Sequence, residues 1–555
     1  MAGDPFTVQI IRNYLISTAQ EMVDATVRTA YSPTFAEGHD FSCAIFDAEG
    51  RMVIQSRGIG VHLGSLVGAM AGIRARYQDF QEGDVVMTNN PYLATHHPDC
   101  VVCRPMFCRG RHVGFAVNIG HWTDIGGMAP GGCAGTATHV VQEGLIIPVC
   151  KLYVGGKLVP EIRDFILENV RLPEDDWGDL QSQIAATVAA DTRIRALMDR
   201  YGIDAVLDGM AETIRHSRTR FLAQMTAIPN GRYMARDFIE DDGVTDRRYE
   251  IVVTVDKRDD RFTVDFTGTS EQAPTPINGT INTTRAAVYA ALLALVDPRV
   301  PANAGVFELI EVIAPPGTIT NAVHPAPVFG STFEISKRVP ETIIRAFADA
   351  VPDRVPAGSF CSGNNLAARF VEPISGNESL WYNFYEGGQG ATAAHDGNNA
   401  LYFWAGTALN QPIEVWEHKY PLLVERYALI PDSGGAGTHR GGLGTVHELR
   451  LLWDHYLSGI ADRHRIPPWG LAGGQPGKPN RWCLRRDGHE EELQKVFDLP
   501  SPSKFYNVRL RAGDVLVIYT GGGGGYGPAA VRSPAAIERD LREGYTTART
   551  GSRRT

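Results

Sequence analysis

Two short motifs of the same form, His96-His97-Pro98-Asp99 and His121-Trp122-Thr123-Asp124, lie at equal distances from one glycine, Gly110. Two apolar runs lie between the motifs, Val101–Cys108 and Val113–Ile119. This pattern predicts two antiparallel strands joined by a turn at Arg109-Gly110-Arg111. Asp99 then begins one strand and His121 ends its neighbour, so both motifs meet at the open end of one hairpin.

Imidazoles and carboxylates that converge on a rigid support predict a metal site. On the residues alone, His96, Asp99, His121 and Asp124 are equal candidates for ligands. A neutral imidazole and a carboxylate suit Zn²⁺, Fe²⁺ or Mn²⁺, and the ligand types do not choose among these ions. Because the set lacks a thiolate, a catalytic site with an open position is favoured over a closed structural site.

Composition limits the other classes of function. The chain has 555 residues, too many for one core, with 43% hydrophobic and 21% charged residues, as in ordinary globular proteins. Its net charge of −10 makes nucleic acid an unexpected partner. The longest apolar helix, near Ala286–Val296, is too short to span a membrane, and eight cysteines in so long a chain do not indicate a disulfide framework. We expect a cytoplasmic protein.

The pattern along the chain predicts a multi-domain α+β protein with mixed helices and largely antiparallel sheets. Residues 1–228 are expected to form an N-terminal α+β domain with the metal site. Residues 229–411 are expected to form a central α/β domain, and residues 412–555 a β-rich C-terminal domain. Within the first domain, strands are predicted around Leu145–Val149 and Lys151–Val154.

Two further patterns have simpler interpretations than cofactor binding. The spacing Cys100-x-x-Cys103-x4-Cys108 superficially resembles that of cysteines that bind a metal cluster. Because these cysteines lie in or beside a Val-rich strand, we interpret them as small buried hydrophobic residues. The glycine runs Gly434–Gly444 and Gly521–Gly525 have no Gly-Lys-Ser/Thr sequence. We interpret both runs as tight turns between strands, and we find no nucleotide site.

Three more polar residues are ambiguous on local sequence alone. Asp40, in Glu37–Ser42, is by default a residue that caps the entry to a strand. Glu143 and the nearby His139 have no decisive local pattern.

The order of motifs along the chain resembles that of the hydantoinase B family. The resemblance covers nearly the whole chain, and its residues are Asp4-Pro5, Asp40–Cys43, Val61–Ser65, Asn90–Tyr92, His96-x-x-Asp99, His121–Gly127, Gln142–Gly144, Ile147-Pro148, Asp265–Ser270, Pro276–Asn278, Asn303–Gly305, Tyr420–Leu422, Val424–Tyr427 and Asp432–Gly437. The family includes B-type subunits of ATP-dependent N-methylhydantoinase, 5-oxoprolinase and caprolactamase. It also includes subunits of acetone and acetophenone carboxylases.

The resemblance implies a divalent metal, Zn, Mn or Fe, at His96, Asp99 and His121, with Asp40 as a fourth ligand. Asp124 then becomes a candidate for a carboxylate that orients His121 or His96.

Four other residues are assigned less directly. Glu143 and His139 are candidates for proton transfer. His97 and Trp122 depart from the commoner family pattern, and we expect both to line the pocket.

The resemblance also implies a partner, the A-type subunit, which binds ATP and Mg²⁺ and phosphorylates an oxygen of the substrate or of bicarbonate. The expected assembly is a hetero-oligomer such as α2β2. The expected reaction is hydrolysis of a cyclic amide, namely a hydantoin, oxoproline or a lactam. The alternatives are ATP-dependent carboxylation of a ketone and, less favoured, a non-catalytic scaffold for the ATPase subunit.

Overall fold

The computed structural model describes residues 4–402, 404 and 408–547. These residues form twelve helices and twenty strands. The helices are α1 (Pro5–Thr29), α2 (Pro33–Ala36), α3 (Gly60–Arg76), α4 (Pro160–Leu167), α5 (Pro173–Tyr201), α6 (Ile203–Met225), α7 (Ile281–Ala294), α8 (Ala304–Phe307), α9 (Ile335–Ala346), α10 (Ile413–Lys419), α11 (Leu493–Val496) and α12 (Pro534–Arg542). No helix in these ranges is long and apolar enough to cross a membrane.

The strands group into four sheets. In chain order they are β1 (Phe41–Phe46), β2 (Met52–Gln55), β3 (Val85–Thr88), β4 (Asp99–Cys108), β5 (Arg111–His121), β6 (Cys150–Val154), β7 (Lys157–Leu158), β8 (Gly231–Ile239), β9 (Tyr249–Arg258), β10 (Arg261–Asp265), β11 (Ile310–Ile313), β12 (Asn365–Val371), β13 (Glu378–Asn383), β14 (Leu422–Leu429), β15 (Thr445–Leu451), β16 (His455–Ile460), β17 (Arg481–Arg486), β18 (His489–Glu492), β19 (Phe505–Leu510) and β20 (Val515–Tyr519). Sheet orders are β2-β1-β5-β4-β3-β6-β7, β11-β10-β9-β8, β13-β12-β16-β19 and β14-β15-β20-β17-β18. The pairs between these strands are antiparallel except for β10 with β11, so the predicted fold class is confirmed.

The first helix begins as the sequence predicts. The Asp4 carboxylate accepts hydrogen bonds from the backbone N–H groups of Phe6 and Thr7, and Pro5 occupies the first helical position. The buried face of α1 repeats at helical spacing and packs against α5; it consists of Ile11, Leu15, Ala19 and Met22.

The β4–β5 hairpin supports the candidate site. Arg109 and Gly110 have φ angles of 51° and 76°, as a two-residue type I′ turn requires. From this turn the register runs back to Asp99 and His121, which are Cα partners at the open end. The predicted hairpin and the pairing at its open end are therefore confirmed, although the turn has two residues and the register shifts by one between Met106 and Phe107.

The seven-stranded sheet lies between two hydrophobic layers. One of its faces packs against α1, α5 and α6, and the other packs against α3, α7 and the β8–β11 sheet. Cys100 faces the first layer and Cys103 the second, and both are buried free thiols, which confirms their interpretation as core residues.

The boundary predicted at residues 411 and 412 falls between strands of one sheet. Strands β12 and β13 precede it, whereas β16 and β19 follow it, and all four are hydrogen-bonded in one order. Similarly, one continuous core contains residues of the first sheet and of the β8–β11 sheet, on both sides of residue 229. The three predicted units therefore pack as one interconnected body.

The predicted strand at Leu145–Val149 is wrong. Ile147 makes its backbone hydrogen bonds with Asn89: its N–H donates to Asn89 Oδ1 across 2.6 Å, and its carbonyl accepts the Asn89 N–H across 3.3 Å. These contacts hold the stretch as an irregular segment. The strand that follows it is β6, which matches the neighbouring prediction.

The glycine runs are extended, close-packed segments, and their interpretation as tight turns is wrong. No glycine of Gly521–Gly525 has a positive φ. A Cβ on Gly523 would lie 2.0 Å from the carbonyl oxygen of Gln389, and the Gly523 N–H donates to Gly442 across 2.9 Å. Glycine is therefore required here by the close approach of neighbouring backbones.

Candidate metal centre

The open end of the β4–β5 hairpin brings the four predicted ligands to one place. His96 Nε2 lies 3.1 Å from Asp99 Oδ2, and the ring centroids of His96 and His121 are 5.0 Å apart. The His121 N–H donates to the backbone carbonyl of Asp40 across 2.9 Å, which sets β1 beside the hairpin. All four side chains are buried.

His62, near the start of α3, lies between the two carboxylates. Its Nε2 is 3.0 Å from Asp99 Oδ1 and 3.9 Å from Asp40 Oδ1. The side chain is buried, so these contacts are shielded from water. No local pattern predicts a role for His62, although the segment Val61–Ser65 belongs to the family resemblance.

The ring of His96 is held by the short turn that precedes α9. Its Nδ1 lies 3.2 Å from the carbonyl oxygen of Phe329 and 3.1 Å from Thr332 Oγ1. Donation from Nδ1–H to that carbonyl would leave Nε2 as the metal-binding nitrogen once a metal takes the place of its contact with Asp99.

His121 has the signature of a missing partner. Its ring stacks on Tyr382 of β13, with centroids 4.7 Å apart and planes 17° apart. Neither ring nitrogen has a hydrogen-bond partner among the described residues, although both are buried. Because an unsatisfied buried polar atom is costly, these nitrogens indicate a ligand that the chain itself does not supply.

The protonation states of Asp40, Asp99 and His121 suit metal binding. Burial, with the charge of His96, lowers the pKa of His121 to about 3, which leaves a neutral imidazole. Burial raises the pKa of Asp40 to about 6, against the attraction of His62. Burial also acts to raise the pKa of Asp99, but the charges of His62 and His96 outweigh it and hold that pKa well below its ordinary value. Neutral imidazole and carboxylate are the forms that bind metals.

The donor set fits a divalent metal in chemistry but is not arranged around an empty point. Within residues 4–402, 404 and 408–547, no group of three or more His, Cys, Asp or Glu side chains has the geometry to hold a metal ion as it stands. Asp99 instead contacts His62 and His96 directly. A metal held by these residues has to take the place of those contacts.

The prediction that Asp124 orients His121 or His96 is wrong. Its carboxylate accepts hydrogen bonds from the backbone N–H groups of Gly126, Gly131 and Arg171. It also pairs with the Arg171 guanidinium at 3.0 Å. None of the contacts that the structure describes for Asp124 involves His96 or His121, so it fixes the loop after β5 and orients neither imidazole.

Glu143 and His139 also lie apart from the ligand cluster. The Glu143 carboxylate accepts the backbone N–H groups of Val328 and Phe329, at 2.9 and 2.7 Å. Burial raises its pKa to about 8 against those hydrogen bonds. His139 accepts the Val141 N–H and caps a short helical turn. Glu143 therefore holds the segment that carries the His96 partners, and neither residue lines the cavity at the cluster.

The two departures from the family pattern are buried behind the site. The Trp122 Nε1–H donates to Gln183 Oε1 across 3.0 Å inside the core. His97 Nδ1 lies 3.5 Å from Glu143 Oε2. Neither side chain lines the cavity at the cluster, so the expectation that both line the pocket is wrong.

A narrow cavity opens onto the cluster. It offers about 20 Å³ to the centres of water molecules, which is room for roughly one water. Its walls combine the polar cluster with aromatic and aliphatic side chains, and its lining residues are Asp40, Ile59, Val61, His62, His96, His121, Thr332, Phe333, Lys337, Phe384, Tyr402 and Ala408. A ring-shaped ligand can therefore enter only when some of these side chains move.

Sequence comparison relates the chain to one family. The model of the hydantoinase B/oxoprolinase family matches residues 4–529. The B-type subunit of a putative D-/L-hydantoinase from Pseudomonas sp. (strain NS671) is 33% identical, over 98% of this chain and 93% of that protein. The beta subunit of the caprolactamase from Pseudomonas jessenii is 32% identical, over 98% of this chain and 94% of that protein. The 5-oxoprolinase 1 of Arabidopsis thaliana is 28% identical, over 95% of this chain but only 42% of that protein.

Solved structures show the same fold. The crystal structure of the ATP-dependent caprolactamase from Pseudomonas jessenii superposes with a TM-score of 0.89 at 30% identity, covering 99% of this chain and 95% of that one. The nucleotide-free structure of an acetone carboxylase also gives a TM-score of 0.89, at 19% identity, covering 99% of this chain and 79% of that one. With the family match across nearly the full length, this chain belongs to the hydantoinase B/oxoprolinase family.

Proposed function

We propose that this chain is the metal-binding subunit of an ATP-dependent hydrolase of cyclic amides. The observation that carries the proposal is the buried cluster of His96, Asp99 and His121, in which both ring nitrogens of His121 lack a partner among the described residues. Family membership supports the reaction class, because relatives about one-third identical are named as hydantoinase and caprolactamase subunits.

The proposed ligands are His96, Asp99, His121 and Asp40. A divalent metal bound there, Zn, Mn or Fe, would polarise an oxygen and lower the pKa of a water molecule. His62 positions the two carboxylates, since its Nε2 faces both of them.

Other residues prepare the reaction space. Thr332 and the carbonyl of Phe329 fix the ring of His96, as the contacts to Nδ1 show. Phe333 and Phe384 line the cavity with apolar surface, which limits the access of bulk water to the reacting amide.

The proposed partner is an A-type subunit that binds ATP and Mg²⁺ and phosphorylates the substrate or bicarbonate. Three observations support it. This chain has no Gly-Lys-Ser/Thr sequence, and its close relatives are named as subunits. In addition, the match covers only 42% of the Arabidopsis 5-oxoprolinase, which leaves more than half of that longer chain for another component. An assembly such as α2β2 would follow.

Ketone carboxylation is the second candidate and has weaker support. The acetone carboxylase shares the fold at 19% identity, and that likeness does not extend to the reaction. Hydrolysis without bicarbonate would favour the amide hydrolase. A product that gains a carboxyl group only when bicarbonate is present would favour the carboxylase.

The test is co-expression of this chain with an A-type subunit, followed by metal analysis and assays with ATP on hydantoins, oxoproline, lactams and ketones. We expect ATP-dependent ring opening of a cyclic amide and a bound divalent metal. His96→Ala should abolish both while the complex still assembles. Retention of metal and activity by His96→Ala would overturn the assignment.

A further inference from the structure

A buried lysine enters the candidate site from α9. The side chain of Lys337 is 2% exposed and lines the same cavity as Asp40, His62, His96 and His121. Its Nζ lies 4.8 Å from the centroid of the Tyr402 ring. Its amine is therefore placed among the groups that the proposed reaction uses.

Lys337 differs from the other buried cations that the structure describes. Each of the others has a hydrogen bond or an ion pair to an oxygen; they are Lys257 with Asn230, Arg338 and Lys504 with Asp462, Arg463 with Asp237, and Arg440 and Arg532 with Asp540. For Lys337, no hydrogen bond or ion pair of Nζ occurs among the described residues, and its contact is with an aromatic face.

An unpaired buried ammonium is costly unless an anion reaches it. Burial lowers the pKa of Lys337 to about 8, against the through-space attraction of groups that include Asp40 and Glu334, neither of which makes an ion-pair contact with it. The face of the Tyr402 ring compensates the charge of a cation only in part. An anionic group that enters the cavity from outside the chain would supply the partner that the Lys337 amine lacks.

We infer that Lys337 is the oxyanion-binding residue of the site, and that the activated substrate carries an oxyanion held by its ammonium group. This inference rests on the proposed function, because that function identifies the ligand as the substrate. A lysine ammonium suits the role because it offers three rotatable N–H donors and a compact positive charge. The oxyanion is a phosphoryl oxygen or a carboxylate oxygen, and the two sources can be separated by experiment.

The first experiment measures binding of inorganic phosphate and of acetate to the full chain by calorimetry. Lys337→Met removes the charge and keeps the length of the side chain, whereas Lys337→Arg keeps the charge. Lys257→Met is the matched control, because Lys257 is equally buried but lies on β9 with Asn230 as its partner. Lys337→Met should weaken anion binding by about tenfold or more, while Lys337→Arg and Lys257→Met retain most of it.

The two anions separate the sources of the oxyanion. Tighter binding of phosphate assigns Lys337 to a phosphoryl group, and tighter binding of acetate assigns it to a carboxylate. The inference is overturned if the wild-type chain binds neither anion, or if Lys337→Met binds both as tightly as the wild type.

A second measurement excludes a purely structural role. Because Lys337 has no ion-pair partner among the described residues, Lys337→Met should leave the thermal unfolding midpoint unchanged or raised, and a marked fall would show that Lys337 stabilises the fold instead. In the complex with an A-type subunit, Lys337→Met should lower kcat/KM by about tenfold or more without loss of metal. Lys337-dependent anion binding in a complex that opens no cyclic amide would refute the proposed function alone.

Discussion

Asp99 and His121 are Cα partners across β4 and β5, and their side chains lie in one buried cluster although the turn between them is at the far end of the hairpin. Residues directly opposite on neighbouring strands keep a fixed separation. The β ladder therefore sets the spacing of these two proposed ligands, and neither depends on a loop for its position.

Replacement of His121 tests the metal assignment most directly. We expect His121→Ala to reduce the metal content of the purified chain to near zero, because it removes an imidazole whose nitrogens have no other described partner. Elemental analysis by mass spectrometry measures this. His139→Ala is the control and should keep the wild-type metal content, since His139 caps a helical turn outside the cluster. Equal metal in both variants would contradict the assignment.

Replacement of His62 tests its role in positioning the carboxylates. His62→Gln should weaken metal affinity by about tenfold to a hundredfold, as loss of a residue that orients ligands commonly does. The fold should persist, because the helix α3 is also held by buried apolar residues such as Leu66 and Met70. Metal titration with a competing chelator, together with the unfolding midpoint, separates the two effects. An unchanged metal affinity would show that His62 does not position Asp40 and Asp99.

Local sequence predicted the part of the site that one hairpin determines. The hairpin predicts that His96, Asp99, His121 and Asp124 lie together as equal candidates. The family resemblance set Asp124 apart from the ligands and added Asp40. His62, Tyr382 and Lys337 come from α3, β13 and α9, and no local pattern connects these elements to the hairpin. The sequence that separates these elements along the chain does not show how they pack against one another.

The incorrect predictions also arise where contacts depend on how distant elements pack. Asp124 was assigned to the imidazoles because its motif is symmetric with that of Asp99, but the chain leaves the sheet after His121 and the carboxylate meets Arg171 instead. Strands β12 and β13 were missed. Residues of β12 are buried on both faces over most of its length, so the alternation that marks a half-exposed strand is absent.

The pair of Asp124 and Arg171 should stabilise the fold and leave metal binding nearly intact. Asp124 is fully buried, and Arg171 is partly exposed. The Arg171 guanidinium lies 3.0 Å from the Asp124 carboxylate. Asp124→Asn weakens the hydrogen bonds to Arg171 and to the backbone N–H groups and should lower the free energy of unfolding by about 1–3 kcal/mol, because burial raises the pKa of Asp124 and offsets part of the charge pairing. Urea denaturation measures the loss, and elemental analysis measures the metal. Loss of metal with unchanged stability would return Asp124 to the ligand cluster.

Glu143 predicts a dependence of stability on pH. Burial raises its pKa from 4.5 to about 8, so the folded state binds the proton more tightly than the unfolded state does. Its contribution to stability is therefore complete below the ordinary pKa and is lost as the pH rises through about 8. Glu143→Gln carries no charge and should flatten this decline.

The measurement for Glu143 is urea denaturation of the wild type and Glu143→Gln from acidic to mildly alkaline pH. The difference in free energy of unfolding should move in favour of Glu143→Gln as the pH rises. Parallel curves for the two proteins would show that the Glu143 carboxyl does not titrate in this range in the folded state.

The glycine segments predict a sharp intolerance to a single methyl group. Gly523→Ala places a Cβ 2.0 Å from the carbonyl oxygen of Gln389, and backbone on that side cannot yield without breaking the neighbouring hydrogen bonds. We expect loss of soluble folded protein. Gly488→Asn is the control. Gly488 lies in a hairpin turn with a φ of 80°, and an added Cβ would have nothing within 4 Å. Asn tolerates this left-handed backbone conformation. The control should fold with a cost of about 1 kcal/mol or less. Normal yield and stability of Gly523→Ala, measured by thermal unfolding, would show that the backbones at Gly523 are not in close contact.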